Sequence, residues 1–387
     1  MQDEGINTIV VSSEVPGNRV DNVFLKLTDD ILMYRYKSIK FDTFFYKLRS
    51  KFKIPPSKEV FSGLSKCMLL TAQKAIKNNN GIDAVYSISS IGDAHKVGML
   101  IAKNYRIPWI AEFQDPWLEN RTLMQWMKDF SLPTYFNYWQ KKTEIFLKQI
   151  VQKAQLIVTE SKGHRDSLAN RAKIWGINDD KIVYSYLGSD QRVIDRLGTP
   201  SVFETIKDSN IPKIGFLGEV YHGYEKRVRQ LIHCLYKLEK QGLQFCFITI
   251  GSSLLPQLAS QIGFTKILPL YRLSYREAMG LISTLDWGLT IPSSEININS
   301  KMFDYLQGGC NVLVWGCPKG EMATVVKKYN CGIAIDDGNE EKALKDFKDC
   351  IINTQKKETL NYDDAWFTRK NCFKPVIDKI FDLLSNT

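Results

Sequence analysis

Asn299-Ser300-Lys301-Met302-Phe303-Asp304-Tyr305-Leu306-Gln307-Gly308-Gly309, with Val312-Leu313-Val314-Trp315 close behind, is the stretch on which the fold turns. It reads as a short helix that opens at a serine and closes at Gly-Gly, followed by an apolar run whose length suits a strand in a sheet. Two accounts of the helix stand side by side. With Ser300 and Lys301 in its first turn it would gather unpaired backbone N–H groups, the positive end of a helix dipole, a hydroxyl and an ammonium, which together suit a phosphate. Asp304 lies four residues after Ser300, about one turn along the same face, and could accept hydrogen bonds from the vicinal hydroxyls of a ribose. Equally, the helix could be an ordinary amphipathic one that puts Met302, Phe303 and Leu306 into a core.

Outward from this stretch the second half of the chain alternates strands and helices. Strands are expected at Lys213–Leu217, Phe245–Ile250, Thr265–Leu268, Trp287–Ile291, Val312–Trp315 and Gly332–Ile335, and a helix at Arg227–Glu239. A doubly wound parallel sheet is the economical solution. Gly218-Glu219-Val220-Tyr221-His222-Gly223, between the first of these strands and the helix, is neither the G-x-G-x-x-G fingerprint nor a Walker A loop, which argues against a dehydrogenase and a P-loop NTPase. Lys226 and Arg227, just inside the helix, could hold a diphosphate. Cations there oppose the helix dipole, so an anionic ligand explains them better than a solvated surface does.

The first half shows the same alternation. Thr8–Ser12 is a short β-branched run, Phe61–Asn79 carries helical spacing, and Asp83–Ser87 and Pro108–Phe113 are strands around a helix that begins near His95 and ends at Tyr105. Strand, helix, strand implies a parallel sheet, in which ligands collect beyond the carboxyl ends of the strands. His95 and Asp115 fall at such ends. Each also has a plain role open to it, His95 as a packing or capping residue and Asp115, before Pro116, as a turn former. Leu118–Gln152 is long and amphipathic with a break near Pro133, and strands at Leu156–Thr159 and Ile182–Tyr184 flank a helix at Gly163–Ile174. Between Arg196 and Pro212 periodicity is lost and turn residues accumulate, which marks a linker. The expected domains are 1–195, the linker 196–212, 213–361 and a tail 362–387. Two Rossmann-like domains facing one another across a cleft make a nucleotide-binding architecture the expectation.

At 387 residues the chain exceeds the roughly 250–300 that one core supports, in keeping with two domains. Hydrophobic residues at 44% and charged residues at 24% indicate a globular protein and argue against disorder. A net charge of +10 asks for an anionic partner, whether nucleic acid, a membrane surface or a phosphorylated substrate. The eight cysteines show no zinc spacing and are expected as reduced thiols in a cytoplasmic protein without bound metal. No signal peptide opens the chain, and no apolar run approaches the roughly 18 residues of a membrane span, so any membrane contact is expected to be peripheral.

The stretch Tyr34–Pro56 interleaves Arg35, Lys37, Lys40, Lys47, Arg49, Lys51 and Lys53 with aromatic rings. Contact with an anionic membrane, a helix with a solvated basic face and a nucleic-acid surface all fit it.

Four blocks together resemble the GT-B glycosyltransferases of the large retaining family 4. Pro108–Trp117 is similar to that family's Asp-Phe-Arg-Asp-Pro-Trp block, Lys226–Cys234 to its Lys-Gly-x-x-x-Leu-Ile stretch, Ser274–Ser294 to the block ending in Pro-Ser, and Ser300–Leu306 to its Ser-Lys-x-x-Glu-Tyr nucleotide-sugar block. The resemblance spans nearly the whole chain. It implies that Lys226, Arg227, Ser300 and Lys301 hold a donor diphosphate beside Gly218, that Asp304 binds the ribose, that Glu295 meets the transferred sugar, and that the backbone up to Arg272 meets the base. On the first domain Asp115 and His95 would line the acceptor side, and the tail helix would cross back onto that domain. The implied donor is a UDP- or GDP-linked sugar, with no further cofactor, and the acceptor a glycan or lipid-linked glycan at the inner membrane face, with no nucleic acid. The anomeric configuration would be retained.

Departures from the pattern are Gln114 for an arginine, Asp304 for a glutamate, and Glu295 nine rather than eight residues before Asp304. The family's opening strand and glycine loop are also expected to be missing here. Other readings are a GT-B-shaped protein without transferase activity that binds a nucleotide sugar or a partner, a nucleic-acid binder, and a sugar-nucleotide epimerase on the same fold.

Overall fold

The computed structural model describes residues 5–13, 31–36, 65–89, 92–119, 124–125, 128–129, 133–190, 210–220, 223–270, 273–354 and 365–385. Arg272, the basic aromatic stretch beyond Tyr36 and the linker up to position 209 lie outside the described residues. The chain divides into two compact units, Met1–Ser185 with Lys374–Thr387, and Tyr186–Phe373.

In the first unit, strands β1 (Ile9–Ser13) and β2 (Leu32–Tyr36) pair in parallel, and helix α1 (Ser65–Asn78) packs on both. A second parallel sheet runs in the order β3 (Val85–Ser89), β4 (Trp109–Phe113), β5 (Leu156–Thr159), β6 (Ile182–Tyr184). Every residue of β4 is buried, as expected of an inner parallel strand covered on both faces. Helix α2 (Gly92–Tyr105) connects β3 to β4, and α3 (Pro133–Lys153) precedes β5. The expected break near Pro133 is the start of α3. Proline suits the first turn because its missing N–H would have no intrahelical partner there. Trp109, Ala111 and Phe113 of β4 share a core with Leu147, Ile150 and Val151 of α3. Helix α4 (Lys162–Ile174) follows β5, and its serine cap Ser161 accepts the His164 N–H at 3.1 Å.

The second unit is one six-stranded parallel sheet. Its strands are β7 (Lys213–Leu217), β8 (Cys246–Ile250), β9 (Ile267–Leu270), β10 (Trp287–Thr290), β11 (Asn311–Trp315) and β12 (Gly332–Ile335). Their spatial order is β12-β11-β10-β7-β8-β9. The chain therefore winds outward from β7 through β8 to β9, returns to the other side of β7, and winds outward again from β10. The carboxyl ends of β7 and β10 form the switch point at which such sheets bind ligands.

The strands alternate faces with period two. Leu313 and Trp315 enter the core shared with α5 (Glu225–Lys240), α6 (Leu254–Ile262) and α10 (Glu340–Ile352), whereas Val312 and Val314 enter the core shared with α7 (Tyr275–Ile282), α8 (Ser300–Gln307) and α9 (Glu321–Lys328). Helices on both faces make the sheet doubly wound, and the α/β class expected from the sequence is the one observed. Strand β9 begins and ends two residues later than expected and takes in Pro269. A proline is tolerated there because β9 is an edge strand, with one side free of ladder bonds. The final helix, α11 (Arg369–Ser385), begins in the second unit, and from Lys374 onward it belongs to the first.

Helix α8 begins and ends where the sequence places it. Met302, Phe303 and Leu306 are buried, and Gly309, at φ +80°, takes the left-handed turn that ends the helix. Tyr305 fastens α8 to the sheet, since its hydroxyl accepts the Leu217 N–H at 3.0 Å and donates to the Leu289 carbonyl at 3.0 Å. One phenol thus bridges the ends of β7 and β10.

Candidate functional site

The switch point is built around two glycines and a lysine. Gly218 ends β7 at φ +105°, and its N–H donates to the Ile250 carbonyl at 2.8 Å. Gly251 ends the neighbouring strand at φ +81°, and a Cβ built on it would stand 3.9 Å from the Gly218 Cα. A Cβ on Gly218 would overlap Lys301 Nζ and lie 2.8 Å from Lys301 Cε. The Lys301 ammonium therefore lies over bare peptide, and both glycines hold conformations that other residues adopt at a cost. Among the described residues Lys301 makes no ion pair or hydrogen bond. Burial lowers its pKa, and only the nearby charge of Asp304 opposes that shift.

The first turn of α8 completes this point. The side chain of its N-cap residue, Asn299, makes no capping bond to the helix, because Nδ2 donates to Thr290 Oγ1 and to the Ile291 carbonyl, both at 2.9 Å. Ser300 is exposed at the start of the helix. Backbone donors, a hydroxyl and a partly desolvated ammonium thus meet at one place, which is the chemistry of an oxyanion site. In the loop that feeds α8, the buried Ser294 Oγ and Asn297 Oδ1 have no hydrogen-bond partner among the described residues. Asp304 lies a turn further on, and burial pushes its carboxyl up to about 6, against the opposing effects of the Tyr275 hydroxyl and Lys301. Tyr275 donates to Asp304 Oδ1 at 3.2 Å.

The remaining candidates of this unit are placed differently from one another. Lys226 is exposed in the first turn of α5. Arg227 is tied down: Nε donates to Asp337 at 2.7 Å, Nη1 to the Pro292 carbonyl at 2.8 Å and Nη2 to the Trp315 carbonyl at 2.8 Å. These acceptors supply the negative charge that a cation at a helix start calls for, and they account for Arg227 without a phosphate. Arg227→Ala should leave them unpaired at a cost of roughly 3 kcal/mol, a fall in melting temperature on the order of 5–10 °C. An unchanged melting curve would mean that the guanidinium serves a ligand instead. Glu295 is exposed, and its carbonyl accepts the Glu321 N–H at 2.6 Å.

In the first unit His95 is fully buried in the first turn of α2. Its Nδ1 lies 2.8 Å from Ser87 Oγ, which also accepts the Trp109 indole N–H at 2.7 Å. Its ring packs 4.6 Å from that of Phe113, and burial pushes its pKa down to about 3. This is a neutral imidazole that joins β3 and β4 to α2. Asp115, just past β4, has its carboxyl pushed up to about 6 by burial and by Glu160, against the opposing charge of His164. Glu160 and His164 form a buried pair at 2.5 Å. Burial disfavours the His164 imidazolium, yet Glu160, with Glu119 and Asp115, carries the net pKa above the usual histidine value. Glu160 lies just before the cap of α4 and His164 in its first turn, a relation that the residue types alone do not signal; the S-x-x-E box that puts Tyr275 at the start of α7 is a signal that the sequence does carry. That box does not indicate what Tyr275 would face.

No family model and no curated protein matches the chain. Solved structures do. The Anabaena protein HepE in complex with UDP superposes with a TM-score of 0.60 at 14% identity, over 97% of this chain and all of that one. A glycosyltransferase from Rickettsia africae gives 0.55 at 16% identity over 99% of this chain and 100% of that chain. A UDP-GlcNAc 2-epimerase from Neisseria meningitidis bound to UDP-GlcNAc gives 0.53 at 12% identity, over 96% and 98%. The chain has the fold of the GT-B glycosyltransferases. A sucrose-phosphate synthase from Thermosynechococcus elongatus and a UDP-GlcNAc 2-epimerase from Methanocaldococcus jannaschii also superpose on the chain, at 10% and 11% identity, so the likeness establishes the fold. Among the described residues no helix is long and apolar enough to cross a membrane, and no cluster of three His, Cys, Asp or Glu residues could hold a metal ion. All eight cysteines are free thiols.

Proposed function

We propose that the chain is a glycosyltransferase that moves a sugar, in our reading a hexose, from a UDP- or GDP-linked donor to a glycan or lipid-linked acceptor in cell-surface polysaccharide synthesis, with retention of configuration. The observation that carries this is the Lys301 ammonium, partly buried over the Gly218 peptide at the switch point with no ion pair among the described residues. A cation desolvated in this way costs stability unless an anion joins it, and a diphosphate fits. In this reading Lys301, Ser300 and the α8 N-terminus hold the diphosphate, with Lys226 reaching it from α5. They neutralise the charge that develops as the diphosphate leaves. Asp304 binds the ribose, Glu295 the transferred sugar, and the segment through Arg272 the base. Asp115 serves the acceptor on the first unit, and His95 packs against Phe113 of the strand that leads to it. The net positive charge and the basic aromatic stretch from Tyr34 suit an acceptor carried on the cytoplasmic face of an anionic membrane.

A melting screen against UDP, GDP and CMP tests the donor site. One nucleoside diphosphate should stabilise the folded chain by about 2.7 kcal/mol at a hundredfold excess over its Kd, by mass action. A folded protein indifferent to all three would overturn the proposal.

A second reading, a sugar-nucleotide epimerase, is favoured by the Asp115 carboxyl beside the Glu160–His164 pair. A carboxyl poised near neutral pH suits proton abstraction at a sugar carbon. That reading predicts conversion of the nucleotide sugar with no acceptor present, detectable by NMR of the donor.

A further inference from the structure

Tyr275 belongs to none of the groups assigned above, yet both ends of its side chain are held. It is the first residue of α7, and a capping box fixes that start: Ser274 Oγ accepts the Glu277 N–H at 3.3 Å, and Glu277 Oε2 accepts the Ser274 N–H at 2.8 Å. The ring packs against the core that also takes Met302 and Phe303 of α8. Its hydroxyl ends on Asp304 Oδ1.

We propose that Tyr275 is the positioning residue of the nucleoside site, holding the Asp304 carboxylate by one oxygen so that the other is offered, ionised and in a fixed direction, to a ribose hydroxyl. This rests on the reading of Asp304 as the ribose-binding group. A phenylalanine would fill the same core space without the bond to the carboxylate. Burial raises the pKa of Tyr275, and the charges of Asp304 and Asp190 raise it further, so the phenol stays protonated and always donates.

Among the described residues the charged and titratable groups around Asp304 are few. Lys301 lies on its own helix, Tyr275 comes from α7, and the neighbouring Tyr305 has its own pKa raised by burial and, in smaller part, by the Asp304 charge. Asp190 lies where Gln307 Nε2 of α8 reaches its carbonyl, at 2.9 Å. Of these, Tyr275 and Lys301 hold the carboxyl down against burial. Removing the phenol raises it further. The carboxyl then takes up a proton at a higher pH and loses its capacity as a double acceptor in that range.

Calorimetric titration of UDP, with GDP as second probe, into the full chain and its Tyr275→Phe variant between pH 6 and pH 8.5 tests this. The nucleotide's own phosphate titrates in the same range, but equally for both proteins, so the ratio of their Kd values isolates Asp304. A one-unit rise in the Asp304 pKa makes that ratio about fivefold at pH 6 and close to one at pH 8.5. The 2′,3′-dideoxy nucleotide should show a ratio near one throughout, and Tyr275→Phe should add nothing in an Asp304→Asn background. A ratio that does not change with pH, or an equal loss for the dideoxy nucleotide, would reduce Tyr275 to a tie between two helices and overturn the proposal. Wild-type protein that binds neither UDP nor GDP would instead overturn the nucleoside site itself.

Discussion

Lys301→Met is expected to weaken binding of the nucleoside diphosphate by about 30-fold or more while the unliganded protein melts no lower than wild type. The two halves of this result come from one fact. The ammonium sits over Gly218 with its pKa lowered by burial and, among the described residues, with Asp304 alone near enough to support its charge. In the free protein that charge is a cost, and a methionine of similar length would fill the space without it. With a diphosphate present the same charge is the strongest contact available. Losing a buried, charge-assisted contact of this kind costs roughly 2–5 kcal/mol, or about 30-fold to several thousandfold in affinity. Asp304 should respond as well, because Lys301 holds its carboxyl down and the loss would let it rise. Calorimetry with UDP or GDP and a melting curve without ligand read the two halves separately. If binding survives within threefold, Lys301 is not the diphosphate anchor. A large fall in melting temperature with binding intact would make it a structural residue.

What was legible in the sequence follows from what sequence patterns encode. Strands such as Val312–Trp315 and Lys213–Leu217 are short apolar runs whose alternation splits cleanly between two cores, so their place in a doubly wound sheet could be read directly. Helix α8 carries both of its ends in residue type, a serine at one and Gly-Gly at the other. The reading faltered where an element depends on its neighbours. Pro269 argues against a strand until β9 is known to be an edge. Among the cations the limit was sharper. Lys226, Arg227 and Lys301 all stand in first turns of helices and look alike as residue types. Distance separates them: Arg227 reaches Asp337 and two carbonyls, Lys226 is exposed, and Lys301 lies over a glycine. His95 illustrates the same limit, since a position near a strand end does not reveal that the ring is sealed between Ser87 and Phe113. Tyr275 could be placed at a helix start, but its contact with Asp304 joins residues 29 apart and belongs to the fold alone.

Gly288→Ala should be among the more damaging single methyls in the second unit. Gly288 lies on β10 directly beneath the ring of Tyr305, and a Cβ there would overlap Cγ and both Cδ atoms. The ring cannot step aside. Tyr305 is fully buried, and its hydroxyl is held by Leu217 and Leu289, so the methyl must displace either β10 or the whole of α8. Overpacking of this sort typically costs about 1–3 kcal/mol, and a ring pinned at its far end points to the upper part of that range, a fall of roughly 6–12 °C in melting temperature. The second consequence is functional. Lys301 and Asp304 ride on the same two turns as Tyr305, and a shift of about 1 Å in groups that clasp a ligand can cost on the order of a hundredfold. Tyr305→Phe is the informative companion. It keeps the ring and gives up the hydroxyl, stranding the Leu217 N–H at a cost of roughly 1–3 kcal/mol while leaving α8 seated. Stability should therefore fall in both variants, but nucleoside diphosphate affinity should fall steeply only in Gly288→Ala. Equal affinities in the two would show that the seat of α8 on β10 does not set the position of Lys301.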